Sequence, residues 1–362
     1  MKPVMTTSPS ALAGLVKGLH HITLVTSNQE ANRRFYTEVL GLRRVKLSVN
    51  QDDVFHRHLF YADQKGTTGS AITFFEWPEL PQGSTGLGSP HHLSYRVPRV
   101  DSLPSWVAWL RAAGAKVVGP LPRDGRVSIY LRDPDGVCIE LAASNDEKLT
   151  ARDVTELGRT TPTVNAITDD MRLATFDHAS PVTSDPALTA RFFERFVGLE
   201  NSFSIPDPDQ NDAAIVAIGN KERPDFIRYL AHRNAVEGFV GRGSVHHIAM
   251  AVEDDRDQLK VMRHLDEVGV QNSGIIDRLW FHSLYFRDPD GNLLEIATKG
   301  PGYTADEAPE SLGSRLSLPD WVEPRRKEIE AFLRKTDESN PVRWPPAYPA
   351  TPDRPEALTQ NS

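Results

Sequence analysis

The 362-residue chain contains one cysteine, Cys138, so neither an intrachain disulfide nor a thiolate metal cage can be built from it. A metal would have to be held by imidazole and carboxylate, and twelve histidines are available for that. Long apolar runs are missing too: the longest near the N-terminus, Ala11 to Val16, is too short for a secretory core and far below the roughly 18 residues of a membrane helix. Nor is there a basic surplus. With 41 Lys+Arg against 49 Asp+Glu the formal charge is −8, which does not suit a phosphate backbone as partner. These absences predict a soluble cytoplasmic protein that engages neither membrane nor nucleic acid. Hydrophobic residues at 39% and charged residues at 25% are near globular usage, and the length allows two domains with substantial cores.

What is present is a repeat within a repeat. LYFRDPDGNLLEIA (284–297) restates IYLRDPDGVCIELA (129–142), and the histidine pairs His91-His92 and His246-His247 end 48 residues before Glu140 and Glu295 respectively. GLHHITLVTSN (18–28) matches TFDHASPVTSD (175–185) at a displacement of 157, as RRFYTEVLGL (33–42) matches ARFFERFVGL (190–199). The order is A, B, A′, B′. In each unit a histidine opens an alternating run such as HITLV or HIAMAV, which fits a strand with one buried face. A helix follows, over 103–114 in B and 257–269 in B′, each closed by a glycine suited to a left-handed cap. Two or three strands finish the unit, the last hairpin turning at DPDG (133–136 and 288–291), with Cys138 on the face of Glu140 and Leu293 on the face of Glu295.

The predicted fold is therefore α+β, four βαβββ modules paired into two curved, barrel-like mixed sheets. The division expected along the chain is an N-terminal domain over 18–143, a linker or covering segment over 144–173, a C-terminal domain over 174–299 and a proline-rich extension over 300–362. In that extension one helix is expected from Glu323 to Lys335, with the RRK run (325–327) on its solvated face, and an extended, partly mobile tail from Pro341.

A βαβββ unit sets its first strand beside its last, so each B unit offers His plus Glu on one concave face. A histidine from a partner A unit would complete two histidines and one carboxylate, leaving about half an octahedral shell open, an arrangement associated with non-haem Fe(II) oxygenases but open to zinc. Tyr285 and Arg278 lie ten and seventeen residues before Glu295, on strands that reach the same cup, and a phenol with a guanidinium suits an anionic oxygen substrate. Unit B carries the same set: His91, His92, Arg123, Tyr130 and Glu140. Residue types leave two pairings open. A with B′ joins His21 to His247 and Glu295, and His178 to His92 and Glu140; A with B exchanges His21 and His178. Cys138 reads as a small buried apolar residue, and His56, His58 and His232 have no repeat partner that argues for a role. His282, close to Tyr285, is placed to reach the cup.

The whole of 18–299 resembles the vicinal oxygen chelate superfamily of glyoxalases, bleomycin resistance proteins and extradiol dioxygenases, and within it the four-module ring-cleaving dioxygenases. GLHHITLVTSNQEANRRFYTEVLGLRRVKLSVNQDD (18–53), HLFYAD (58–63) and ITFFEWP (72–78) look like the hydroquinone 1,2-dioxygenase branch. The resemblance implies the A–B′ pairing, a ring-cleaving activity on a small aromatic diol with O2, and Fe(II), or Mn(II) in its place, held by His21, His247 and Glu295. His20, Thr23, His246, Arg278 and Tyr285 fall where that branch has residues that support the ligands or contact substrate. Tyr285 and His246 are expected to move protons, Arg278 to hold developing negative charge, and His20 to hydrogen-bond a hydroxyl. It also implies one functional site, which leaves His92, Glu140 and His178 as a second site or a relic of duplication. Two other readings stay open, a non-oxidative lyase or isomerase of the glyoxalase kind and a protein that binds an aromatic without chemistry. The former generally use more carboxylate, whereas ITFFEWP and FIRYLAH, the last strands of A and A′, offer only Glu76. The assembly state, monomer or homo-oligomer, is not written in these motifs.

Overall fold

The computed structural model describes residues 12–208 and 213–350. All four units fold as the alternation demands. Unit A comprises β1 (Gly18–Thr26), α1 (Gln29–Arg34) running into a π turn over Phe35–Val39, β2 (Arg43–Asn50), β3 (Asp53–Ala62) and β4 (Ala71–Glu76). Unit B comprises β5 (His92–Arg96), α2 (Leu103–Ala112), β6 (Val118–Arg123), β7 (Arg126–Arg132) and β8 (Cys138–Ser144), followed by α3 (Ala151–Gly158). Unit A′ comprises β9 (Phe176–Ser180), β10 (Val182–Thr183), α4 (Pro186–Phe192) with its own π turn over Phe193–Val197, β11 (Asn201–Pro206), β12 (Ala214–Gly219) and β13 (Ile227–Ala231). Unit B′ comprises β14 (Val245–Val252), α5 (Asp255–Glu267), β15 (Asn272–Asp277), β16 (Phe281–Arg287) and β17 (Leu293–Pro301), and α6 (Arg326–Ser339) lies in the extension. The repeated Gly-Leu after each π turn has a steric reason: Gly41 and Gly198 take φ of 72° and 75°, where a side chain would be strained.

The strands form two mixed sheets, ordered β15-β16-β17-β14-β1-β4-β3-β2 and β11-β12-β13-β9-β5-β8-β7-β6, with β10 beside β13. Sheet I thus joins A to B′ through antiparallel β1 and β14, and sheet II joins B to A′ through antiparallel β5 and β9. Each sheet therefore takes one unit from each half of the chain, 18–143 and 174–299. One main core spans all four units, including Ile22, Trp106, Phe193 and Ile248. Tyr36 Oη donates to the DPDG carboxylate Asp133 Oδ2 at 3.1 Å, tying A to B, and Tyr229 Oη donates to Asp288, tying A′ to B′.

Side-chain parity places the chemistry. Ile22 and Leu24 of β1, Ile248 and Met250 of β14, and Leu294 and Ile296 of β17 enter the core, which turns His21, His247 and Glu295 to the concave side. In 144–173, α3 opens on a capping box between Thr150 and Asp153 and buries Val154, and Met171 is buried as well, both against the main core. The helix foreseen at 323–335 is α6, preceded by a 3-10 turn over Glu323–Arg325. From Pro341 to Ala350 the chain has no regular structure, and Tyr348 is buried against Phe35; the rest of the tail lies outside the described residues. Among the described residues no helix is long and apolar enough to cross a membrane.

The extension is attached to sheet I. Lys46 on β2 is fully buried and pairs with Asp306 at 2.6 Å and with Glu307. Asp306 also accepts from Trp280 Nε1 at 2.8 Å, and Arg57 of β3 donates to Asp337 at 2.7 Å. Tyr303 and Leu312 complete a small apolar cluster with Phe60, Ala249, Trp280 and Phe281 on the concave side.

Candidate metal centre

Backbone register alone brings the first triad together. Glu295 lies opposite Ala249, Ala249 lies opposite His21, and His247 precedes Ala249 by two residues, so all three ligands project from one face around a small residue. Glu295 Oε2 stands 3.3 Å from His21 Nε2 and 3.0 Å from His247 Nε2, and the two nitrogens are 3.3 Å apart. Two ligand atoms ~2.1 Å from a common ion stand ~3.0 Å apart at right angles and ~3.4 Å apart in a tetrahedron, so these edges match a metal-sized gap. Among the described residues Glu295 Oε2 makes no aligned hydrogen bond despite full burial. A buried carboxylate oxygen facing two imidazole nitrogens in this way calls for a cation, and the residues fit a divalent metal.

The preceding histidines explain why both imidazoles face inward with Nε2. His20 Nδ1 meets His21 Nδ1 at 2.8 Å, and His246 Nδ1 meets His247 Nδ1 at 2.8 Å. Burial, then the adjacent ring, lowers the pKa of His20 and of His246 to about 3, so each is a neutral ring. An imidazole offering its Nε2 lone pair to an ion carries its hydrogen on Nδ1, and the neighbouring Nδ1 accepts it. His20 and His246 therefore sit behind the ligands, His20 against Phe281 and His246 against Phe75 and Trp77, and not on the cavity wall. Burial raises the Glu295 pKa, but His21, foremost, and His247 outweigh it and hold the carboxyl well below its usual range.

The cavity before this triad is lined by Phe60, Phe75, Trp280 and Phe281, with His58, Arg278 and Tyr285 among its polar groups. Arg278 is held by a two-pronged pair to Asp52, at 3.2 and 2.8 Å, and its guanidinium lies 5.5 Å from the Tyr285 ring centre. Burial, then Glu295, raises the Tyr285 pKa, so the phenol is protonated at neutral pH. Ser283 donates to Glu295 Oε1 at 2.6 Å. Thr23 lies opposite His247 in the β1–β14 register; its hydroxyl pairs with Thr73 at 2.8 Å, which in turn meets His58 Nε2 at 2.9 Å.

Two readings of the sequence need correcting. His282 does not reach the cup: Phe281, Ser283 and Tyr285 share the concave face, and His282, on the other face, binds Asp255 at 2.6 Å. His58, which had no repeat partner to mark it, lines the cavity. The alternation from His58 to Phe60 in HLFYAD was the available signal. Asp52 and Ser283 were missed as well, because each acts through a residue distant in sequence. Glu76, the carboxylate held open for a glyoxalase-type shell, is bound by Arg57 at 2.7 Å and by the backbone nitrogen of Gln29 at 3.0 Å, away from the triad.

Sheet II repeats the register. Glu140 lies opposite Ser94, Ser94 opposite His178, and His92 precedes Ser94 by two. Glu140 Oε2 is 3.4 Å from His92 Nε2 and 3.1 Å from His178 Nε2, all three residues being buried. His91 Nδ1 supports His92 at 2.8 Å, while Asp177 Oδ1 replaces a histidine behind His178 at 2.8 Å.

Comparison with known proteins agrees with this geometry. Residues 18–141 and 175–296 match the model of the Glyoxalase/Bleomycin resistance protein/Dioxygenase superfamily. A Bacillus subtilis (strain 168) protein named "Putative ring-cleaving dioxygenase MhqA" is 32% identical over 319 residues, covering 88% of this chain and 98% of its own. The "Chlorohydroquinone/hydroquinone 1,2-dioxygenase" of Sphingobium indicum is 26% identical over 322 residues, covering 87% of this chain and 95% of its own. A crystal structure described as a "putative dioxygenase" from Bacillus subtilis superposes with a TM-score of 0.75 at 31% identity, over 88% of this chain and 97% of that one.

Proposed function

This chain belongs to the Glyoxalase/Bleomycin resistance protein/Dioxygenase superfamily, and from that premise we propose that it is an Fe(II)-dependent ring-cleaving dioxygenase of extradiol type, acting on a hydroquinone or catechol-like diol. The observation that carries the reading is a three-ligand site, His21, His247 and Glu295, opening onto a cavity walled by Phe60, Phe75, Trp280 and Phe281. A flat aromatic ring is the ligand such walls suit. The relatives named as ring-cleaving dioxygenases support it.

Fe(II), or Mn(II) in its place, would supply Lewis-acid activation of the diol and a path by which the diol's own electrons reach O2. The chain's own groups do the rest. Tyr285, protonated at neutral pH, is placed to exchange a proton with a diol oxygen, and Arg278, anchored by Asp52, to hold negative charge as it develops. His58, kept neutral by burial and then by His21, offers a further proton contact on the opposite strand. His20 and His246 fix the ligand rings.

A glyoxalase-type reaction is less well served. By the local symmetry that relates β1 to β14, the position matching Glu295 is Thr73, which lies opposite Thr23 and is bonded to Thr23 and His58. Among the described residues a second carboxylate, which would be the fourth protein ligand, is thereby missing from this shell. Anaerobic loading with Fe(II), followed by oxygen uptake on adding hydroquinone or catechol, tests the proposal. Uptake with ring-opened product, lost in His247→Ala, is expected; iron-loaded protein that consumes no oxygen with any of several diols would overturn it.

A further inference from the structure

We propose that His92, Glu140 and His178 form a second divalent transition-metal site, independent of the one in sheet I. Three observations carry it. The first is the ligand geometry, with Glu140 Oε2 at 3.4 and 3.1 Å from two imidazole nitrogens. The second is that Glu140 Oε2, buried, makes no aligned hydrogen bond among the described residues. The third is that both imidazoles are held from behind at Nδ1, by His91 and by Asp177, which leaves each Nε2 as the inward lone pair. A duplication relic would have no reason to keep all three.

The alternative is that a resident cation has replaced the metal, and Arg228 is the residue to examine. It lines the same cavity as the triad, on the strand that corresponds to the one carrying Thr73 in sheet I. Its guanidinium, however, pairs directly with Asp124 at 3.7 Å and Asp225 at 3.5 Å, and acts on Glu140 only through space, beyond ion-pair distance. Arg126 is likewise engaged by Asp177 and by Asp225 at 2.7 Å. The Glu140 charge is thus left for an ion that the two histidines can share. An imidazole-imidazole-carboxylate set selects Fe(II), Mn(II), Co(II) or Zn(II) over Ca(II) or Mg(II), which prefer all-oxygen shells. The cavity presents Ile215, Leu230 and Arg228 where sheet I presents aromatic rings, so this ion is not placed to receive the same substrate.

Co(II) alone is a suitable probe, because its visible spectrum reports coordination without turnover. Metal-free full-length protein titrated anaerobically with Co(II) is expected to bind two equivalents, falling to one in His178→Ala, in Glu140→Gln and, separately, in His247→Ala. His92→Gln serves where one of these does not fold, with cooperative unfolding by circular dichroism as the check. One equivalent in the unmodified protein, lost in His247→Ala, would overturn the proposal. So would two equivalents that survive every folded substitution of His92, Glu140 and His178.

Discussion

The two triads share a register and differ in what the neighbouring strand does with its tyrosine. In sheet I, Ser283 binds Glu295 Oε1, and Tyr285 is left to the cavity beneath Arg278. In sheet II, Tyr130 itself donates to Glu140 Oε1 at 3.0 Å, Arg123 donates to Tyr130 at 2.9 Å, and Ser128, the counterpart of Ser283, has no hydrogen bond from its hydroxyl among the described residues. The same Arg-Tyr-Glu set is thus a chemical wall in one sheet and a closed chain that braces the glutamate in the other. Ligands are copied by duplication because strand register fixes them. Reactivity depends on side-chain pairings and walls, which diverge freely once the backbone is set.

The largest separation between the sites should come from their carboxylates. Glu295→Gln keeps volume and removes the charge that holds the ion, so oxygen uptake on diols should vanish together with one metal equivalent; Glu140→Gln should remove the other equivalent, both read by metal analysis. Tyrosine substitutions come next. Tyr285→Phe is expected to lower kcat by about 10²–10⁴-fold with metal content intact, as loss of a proton-transfer group would. Tyr130→Phe should instead weaken metal binding in sheet II by about 10–100-fold, as loss of a group that orients a ligand would. A Tyr285→Phe enzyme at full rate would erase the distinction drawn between the two tyrosines.

A third contrast is mechanical. Sheet I is closed by the extension through Lys46, Asp306, Glu307 and Trp280, and Trp280 is also a wall of the aromatic cavity. Lys46→Met would leave the buried Glu307 carboxylate with only the Gly313 N–H at 3.3 Å and the solvent-exposed Arg315 at 4.0 Å, a change worth up to about 3–5 kcal/mol of unfolding free energy in denaturant titrations. It should raise KM for the diol as well, because Trp280 loses the anchor that Asp306 provides.

Much of this was legible in the sequence, and for identifiable reasons. Equal spacing of 48 residues from His92 to Glu140 and from His247 to Glu295 exposed the ligands of both B units, since a repeat preserves strand lengths. Which A unit serves which B unit was not legible from residue types, because the pairing of β1 with β14 is made by backbone groups that every sequence carries. The resemblance to a known family supplied it. The sequence pointed to a catalytic His246, whereas its bond to His247 Nδ1 makes it a support; a histidine pair looks the same whichever ring is inward. The docking of the extension on sheet I was not legible, because Lys46 and its partners lie some 260 residues apart.

The finest test of the comparison is Ser283. Its hydroxyl donates to Glu295 Oε1 at 2.6 Å and also meets Tyr285, two residues along the strand. In sheet II the corresponding Ser128 does not reach Glu140, and Tyr130 takes the bond. Ser283→Ala should therefore let Tyr285 turn onto Glu295, giving sheet I the hydrogen-bond pattern of sheet II. The ion should be retained, because the carboxylate still has a donor, while kcat falls by about 10-fold, less than in Tyr285→Phe, since the phenol can still rotate back. Metal analysis beside steady-state kinetics reads both quantities. Ser283→Ala that loses metal, with kcat per bound ion unchanged, would mean that the serine serves only to orient the ligand and that the tyrosine's position is set by Arg278.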